Sequence, residues 1–154
     1  MSVMNSESRL SLGLLILRLG MGGYMATHGW GKLQMVLSGQ YEMFGDPIGI
    51  GSRLSLLLVM FAEFICALLV VAGAATRLAA IPVVITMGVA AFVTHGSDPW
   101  TMQAAAMAFF SGASKSWASK EPALMFLVGF LALVFTGAGQ YSVDGLVARR
   151  RKTS

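Results

Sequence analysis

The stretch 10–32, LSLGLLILRLGMGGYMATHGWGK, is long enough to cross a bilayer as a helix, yet it carries Arg18 near its middle and His28 near its end. A span needs about 20 residues at a rise of about 1.5 Å each. An arginine at mid-bilayer costs about 2.5–3.5 kcal/mol, whereas each leucine or isoleucine returns only about 0.3–0.6, so Arg18 must face protein or trapped water. Other helices of the chain must therefore surround this one. At coiled-coil spacing Arg18, Met21, Met25, His28 and Lys32 share one seam. Gly13, Gly20, Gly22, Gly23, Gly29 and Gly31 offer places for neighbours to approach closely.

Three further apolar segments, about 53–74, 78–95 and 122–138, supply those neighbours. The chain is 56% hydrophobic and 12% charged, and that charged share is about half of what a soluble domain carries. An all-α integral membrane protein follows: a bundle of four transmembrane helices forming a single domain over residues 1–154. The start, MSVMNSESRL, lacks the basic region and small-residue cleavage site of a signal peptide, so the first span is expected to stay in the membrane, capped by Ser6 or Ser8. The net charge of +4 would suggest nucleic acid for a soluble protein. Here the positives cluster at Arg149, Arg150, Arg151 and Lys152, which reads as a membrane-surface anchor and topology signal, with no nucleic-acid partner.

After Lys32 the pattern decays, and residues 37–52 predict an ordered glycine- and aromatic-bearing loop at headgroup level. The second span places Val59, Glu63, Cys66 and Val70 on one face, and the tight turn 73–77 makes spans two and three antiparallel neighbours. Span three keeps Arg77, Ile81, Val84, Gly88, Ala91 and His95 on one seam, with Pro82 near its start. Residues 99–111 predict a short interfacial helix anchored by Trp100 and Trp117, and Glu121 with Pro122 opens the fourth span. Four spans put both termini on one side. Arg9, Arg77 and the basic tail make that side cytoplasmic, against Lys32, Arg53, Lys115 and Lys120 outside.

Helical rise puts Arg18 about 12 Å and Glu63 about 15–16 Å from the assumed inner ends of their spans, so the two are candidates for a buried pair. The pair would either fix helix register or let Glu63 exchange a proton beside Arg18. His28 and His95 agree in depth as well, each about 27 Å from an inner end. They would bind a quinone headgroup, ligate metal or haem, or hydrogen-bond to backbone and lipid. No third metal ligand is evident beyond Asp98 or the distant Glu42 and Asp46, so no metal site is expected. Cys66, one turn from Glu63, is either a packing residue or a redox thiol, and no intrachain disulfide is possible.

Several of these residues stand in a familiar arrangement: RLGMGGYMATHGWGKL from Arg18, Glu63 in span two, GAATRLAA from Gly73, His95 ending span three, and KEPALMFLVGFLALVFTGAGQYSVDGL from Lys120. In these the chain resembles the DoxX family of small bacterial and archaeal membrane proteins. The resemblance implies a four-helix membrane bundle. The family's name-giving relatives are small subunits of a thiosulfate:quinone oxidoreductase associated with terminal quinol oxidation, and others are linked to membrane oxidoreductase complexes in oxidative-stress defence. Gln140 stands where a basic residue is common, and the tryptophan-bearing segment between spans three and four also departs from the pattern. Family membership does not fix an activity.

The expectation is a plasma-membrane subunit that works beside a redox enzyme and touches the quinone pool. Arg18 and Glu63 would handle charge or protons, and His28 and His95 would bind quinone, the one cofactor implied. Its partners are the bilayer and other membrane or redox subunits. A structural or assembly subunit is the alternative, and a small transporter a third reading. The first demands a cavity of about 300 Å³ or more.

Overall fold

The computed structural model describes residues 5–152. Residues 1–4, part of the start in which no signal peptide was expected, and residues 153–154 of the basic tail lie outside them. Among the described residues every regular element is helical, and three helices are long and apolar enough to cross a membrane: α1 (Ser6–Leu37), α2 (Ser52–Ala72) and α3 (Thr76–Thr94). A short helix, α4 (Met102–Phe110), leads to α5 (Glu121–Thr136), which is apolar but has only 16 residues, and α6 (Val143–Lys152) closes the chain. Helices cover each stretch expected to be helical, with bounds shifted by a few residues, and α1 is the longest at 32 residues.

Local chemistry sets the ends. Asn5, rather than Ser6 or Ser8, caps α1 by accepting the Ser8 amide at 2.8 Å, because the helix begins at Ser6 and Asn5 stands just before it with extended backbone. Gly73, at φ 71°, ends α2 in the left-handed conformation, and the next two residues lead straight into α3. There Ala75 is also left-handed, and Asp144 from the far end of the chain accepts the Ala75 and Thr76 amides at 2.8 and 3.0 Å. Pro122 sits in the first turn of α5, as expected, and Gly137 ends it.

The core is built of small and medium side chains at the helix crossings. Met25, Cys66, Ala67, Val70, Val83, Phe130 and Leu133 are buried, so Cys66 is a packing residue. α3 turns Ala79, Ala80, Val83, Met87 and Ala91 inward, a stripe rotated from the expected one, and Ile81 faces out. Large apolar residues such as Ile16, Tyr24, Leu78 and Phe135 are exposed on the outside, the distribution suited to a lipid solvent. Of the glycines in the α1 stretch, two make the close approaches. Gly22 lies on Ala67 and Val71, and Gly29 lies on the Glu63 backbone so tightly that a Cβ would overlap it. Gly13, Gly20, Gly23 and Gly31 face open space, so they do not serve the helix contact expected of them.

Those two crossings fix the antiparallel register of α1 and α2. Glu63 is level with Gly29, and Arg18 lies 11 residues, or about 16 Å, back along α1. The first turns of α1 project past the end of α2, where the C-terminal segment packs on them: the Gln140 amide donates to Ser11 Oγ at 3.1 Å and its side chain to Glu7 at 3.1 Å. Both described ends of the chain therefore lie at the same end of the molecule.

Candidate functional site

Three of the helices change winding where their polar residues sit. Wider π-helical turns cover Arg18–Gly22 in α1, Phe61–Cys66 in α2 and Ala90–Thr94 in α3, so Arg18 opens the first, Glu63 lies in the second and His95 follows the third. No proline lies in any of them. π-turns of this kind re-aim side chains and recur at functional sites.

Arg18 and Glu63 do not meet. Arg18 is fully buried, and its guanidinium donates to the carbonyls of Val70 at 3.4 Å and Val71 at 3.1 Å, and to that of Tyr141. It thus satisfies the last carbonyls of α2, where the helix dipole also favours a cation, and ties them to the C-terminal segment. Equal depth was counted from the wrong inner ends, since α1 overhangs α2. Glu63, 6% exposed, pairs instead with Lys32 from the same α1 seam, with Nζ 3.1 Å from Oε2. That oxygen is buried and makes no aligned hydrogen bond, so Lys32 compensates its charge without filling its accepting capacity.

Lys32 and Glu63 line a cavity of about 350 Å³ between α1, α2, α3 and α5, and both histidines line it too. His28 stands exposed with its ring edge against Phe126 of α5, their centroids 5.9 Å apart. His95 is half-buried, with Nδ1 2.8 Å from Asp98 Oδ2. The remaining wall is mostly apolar, with Met25, Leu58, Ile85 and Ala90 among it. The loop after α1 contributes Phe44, Pro47, Ile48 and Ile50. Asp46 holds that loop in place: it accepts the Gly51 amide at 2.7 Å, the Ser55 hydroxyl at 2.9 Å and the Ile50 amide at 3.0 Å. These bonds, the Gly51 amide foremost, hold the Asp46 carboxyl below its ordinary value near 3.8.

The cavity thus brings together Glu63, His28 and His95, and Glu63 pairs with Lys32 where Arg18 was the expected partner. Lys32 lies on the expected seam, one turn beyond His28, and in the sequence it counts only among the positives of the outer side. Rise counted from the assumed inner ends sets Lys32 far beyond Glu63, so no signal in the sequence matched the two. Among the described residues no three His, Cys, Asp or Glu side chains are placed to hold one metal ion. The arrangement is a mostly apolar cavity that carries an ion pair and two imidazoles in its wall.

No curated protein and no solved structure matches the chain. The family model described as DoxX matches residues 13–96, which include Arg18, His28, Lys32, Glu63 and His95. That match covers more than half of the chain, and the chain belongs to the DoxX family.

Proposed function

We propose that the protein is a plasma-membrane subunit of a quinone-linked oxidoreductase or respiratory complex, and that its cavity holds the quinone headgroup. The carrying observation is that one cavity of about 350 Å³ gathers His28, His95 and the Lys32–Glu63 pair within apolar walls. The volume admits a substituted ring but no isoprenoid tail, which would run out into lipid. Imidazole nitrogens and the Lys32 ammonium suit the two ring oxygens as hydrogen-bond partners. A quinone at this position would supply two-electron redox chemistry, while the chain's own residues orient the ring, exclude water and keep a carboxylate beside it.

The same reading makes the chain one domain, a bundle of four transmembrane helices with α5 as the fourth crossing and α4 at the interface. The bonds between Gln140 and the first turns of α1 support it, since they bring the start of α1 and the segment after α5 to one end of the molecule. Arg9, Arg77, Arg149 and Arg151 belong to that end and favour a cytoplasmic location for it. A purely structural or assembly subunit is the second reading, favoured by Arg18, whose two terminal guanidinium nitrogens join helix ends.

The test is direct binding of a short-chain quinone analogue to the full-length protein in lipid nanodiscs. Saturable binding is expected, weakened about tenfold in His28→Phe and His95→Phe, the size of one lost hydrogen bond. No saturable binding to the wild-type protein would overturn the proposal in favour of the structural reading.

A further inference from the structure

Lys120 carries a cation to which the fold gives no anion. It stands at the start of α5 and is only 8% exposed, with its ammonium over the Trp100 ring, 4.8 Å from the centroid. Among the described residues that ring is its one electrostatic contact: the ammonium donates no hydrogen bond, and no carboxylate lies within ion-pair distance. Glu121, next in the chain, is turned to α4 and accepts the Met102 amide at 2.6 Å, and Asp98 faces His95. The Lys120 nitrogen is not sealed in, for the enclosed side-chain atoms without partners belong to Arg18, Glu63, Thr76 and Ser119. A nearly buried ammonium with three donors and no acceptor is costly, and a ring face offsets only part of that cost.

The setting of the ammonium points to the acceptor it lacks. The Lys120 amide donates to the Pro99 carbonyl at 3.0 Å and its carbonyl accepts the Leu124 amide at 3.0 Å, so the side chain leaves the backbone at a fixed point. No side chain caps the start of α5, where the helix dipole favours an anion. Trp100 and Trp117 are exposed, as are Met107 and Phe110 of α4. Exposed indoles gather at the headgroup level of a bilayer, where the abundant anion is the phosphodiester. From this we infer that Lys120, Trp100 and the start of α5 form a site for the phosphate of a phospholipid, at the end of the bundle opposite the described chain ends. Trp100 covers one side of the ammonium, and the remaining donors are left to the phosphate oxygens. A lipid held there sits beside the cavity, because Pro122 and Ala123 of the same helical turn line it. The inference takes α5 as a crossing, as read above, and is independent of what the cavity holds.

The test uses the full-length protein in a maltoside detergent, which carries no phosphate, with binding read by native mass spectrometry and by the melting temperature. The probes are dioctanoyl phosphatidylglycerol, dioctanoylglycerol, which lacks the phosphate, and inorganic phosphate. The phospholipid is expected to bind saturably and to raise the melting temperature. Lys120→Met keeps the apolar stem and removes the donors, so it should bind the phospholipid at least about tenfold more weakly, the range of a charge-assisted hydrogen bond. Lys120→Arg should keep the binding, since a guanidinium also lies on an aromatic face and pairs with phosphate. Dioctanoylglycerol should bind weakly, and alike to the wild-type protein and Lys120→Met. Should Lys120→Met fail to fold, Lys120→Gln takes its place with the same expectation. Equal phospholipid affinity of the wild-type protein and the variant would overturn the inference, as would equal binding of the two lipids by the wild-type protein. Inorganic phosphate bound as tightly as the phospholipid would overturn the lipid as its source. Absence of phospholipid binding, with a second chain lost from native-membrane preparations of Lys120→Met, would overturn it in favour of a partner's carboxylate. None of these outcomes bears on quinone binding in the cavity, which the nanodisc measurement decides separately.

Discussion

Lys32 Nζ lies 3.1 Å from Glu63 Oε2, joining α1 to α2 beside the π-turn of α2 and within the wall of the cavity. Lys32 is a quarter exposed and Glu63 almost wholly buried, so the two do not lose equally when separated. Removing the lysine strands a buried carboxylate, and removing the glutamate leaves an ammonium that still reaches water. Lys32→Met should therefore lower thermal stability in detergent more than Glu63→Gln. The double variant should be less damaged than the two singles added together, with a coupling of about 0.5–3 kcal/mol. Additivity in a thermal-unfolding cycle would show that the pair does not act as one.

Arg18 and Glu63, by contrast, should behave independently, because about 16 Å of helix separates their levels. Arg18→Leu strips donors from a buried and a part-buried carbonyl of α2 and from a part-buried one of the C-terminal segment, at a cost of about 2–5 kcal/mol. The loosened end should also become sensitive to protease near Tyr141. Limited proteolysis of Arg18→Leu beside the wild-type protein reads this directly, and an unchanged cleavage pattern would contradict the role given to Arg18.

Gly29 and Gly31 form a matched pair for testing the α1–α2 crossing. A Cβ on Gly29 would overlap the Glu63 backbone, whereas one on Gly31 meets open space. Gly29→Ala should cost about 1–3 kcal/mol by forcing the helices apart, and should weaken ligand binding because Lys32 moves with α1. Gly31→Ala should be neutral or slightly stabilising, since alanine has the better helix propensity. Equal melting temperatures for the two variants would mean that the crossing is not as close as described.

The loop that closes the cavity should loosen in acid. The Asp46 carboxyl is held below its ordinary value by the Gly51 amide above all, so its contribution is fully present above the unfolded value near 3.8. It is lost as the pH falls through the lower folded value, because the protonated carboxyl accepts those amides poorly. Hydrogen exchange at Ile50 and Gly51, corrected for the intrinsic pH dependence, should show protection at pH 5–6 that fades below about pH 4. In Asp46→Asn the protection should be low throughout and independent of pH over that range.

Much of this protein is determined by local pattern. The apolar runs, the short helix before α5, the Glu121–Pro122 start and the glycine stops all depend on composition, propensity and backbone limits that act within a few residues. The presence of charged and imidazole side chains inside apolar helices likewise follows from the chain alone, as does the need for something to meet them. What met them was decided by the register of α1 against α2. Gly22 and Gly29 fit Ala67, Val71 and Glu63, and that fit pushes the start of α1 beyond the end of α2. The slip takes Arg18 to the carbonyls of Val70 and Val71 and brings Lys32 to Glu63. Helix register is a property of two surfaces packed together, and rise counted from assumed ends cannot supply it. The cavity has the same origin: its walls come from four helices and a loop pinned by Asp46, and their joint distance from one another exists only once the helices are packed.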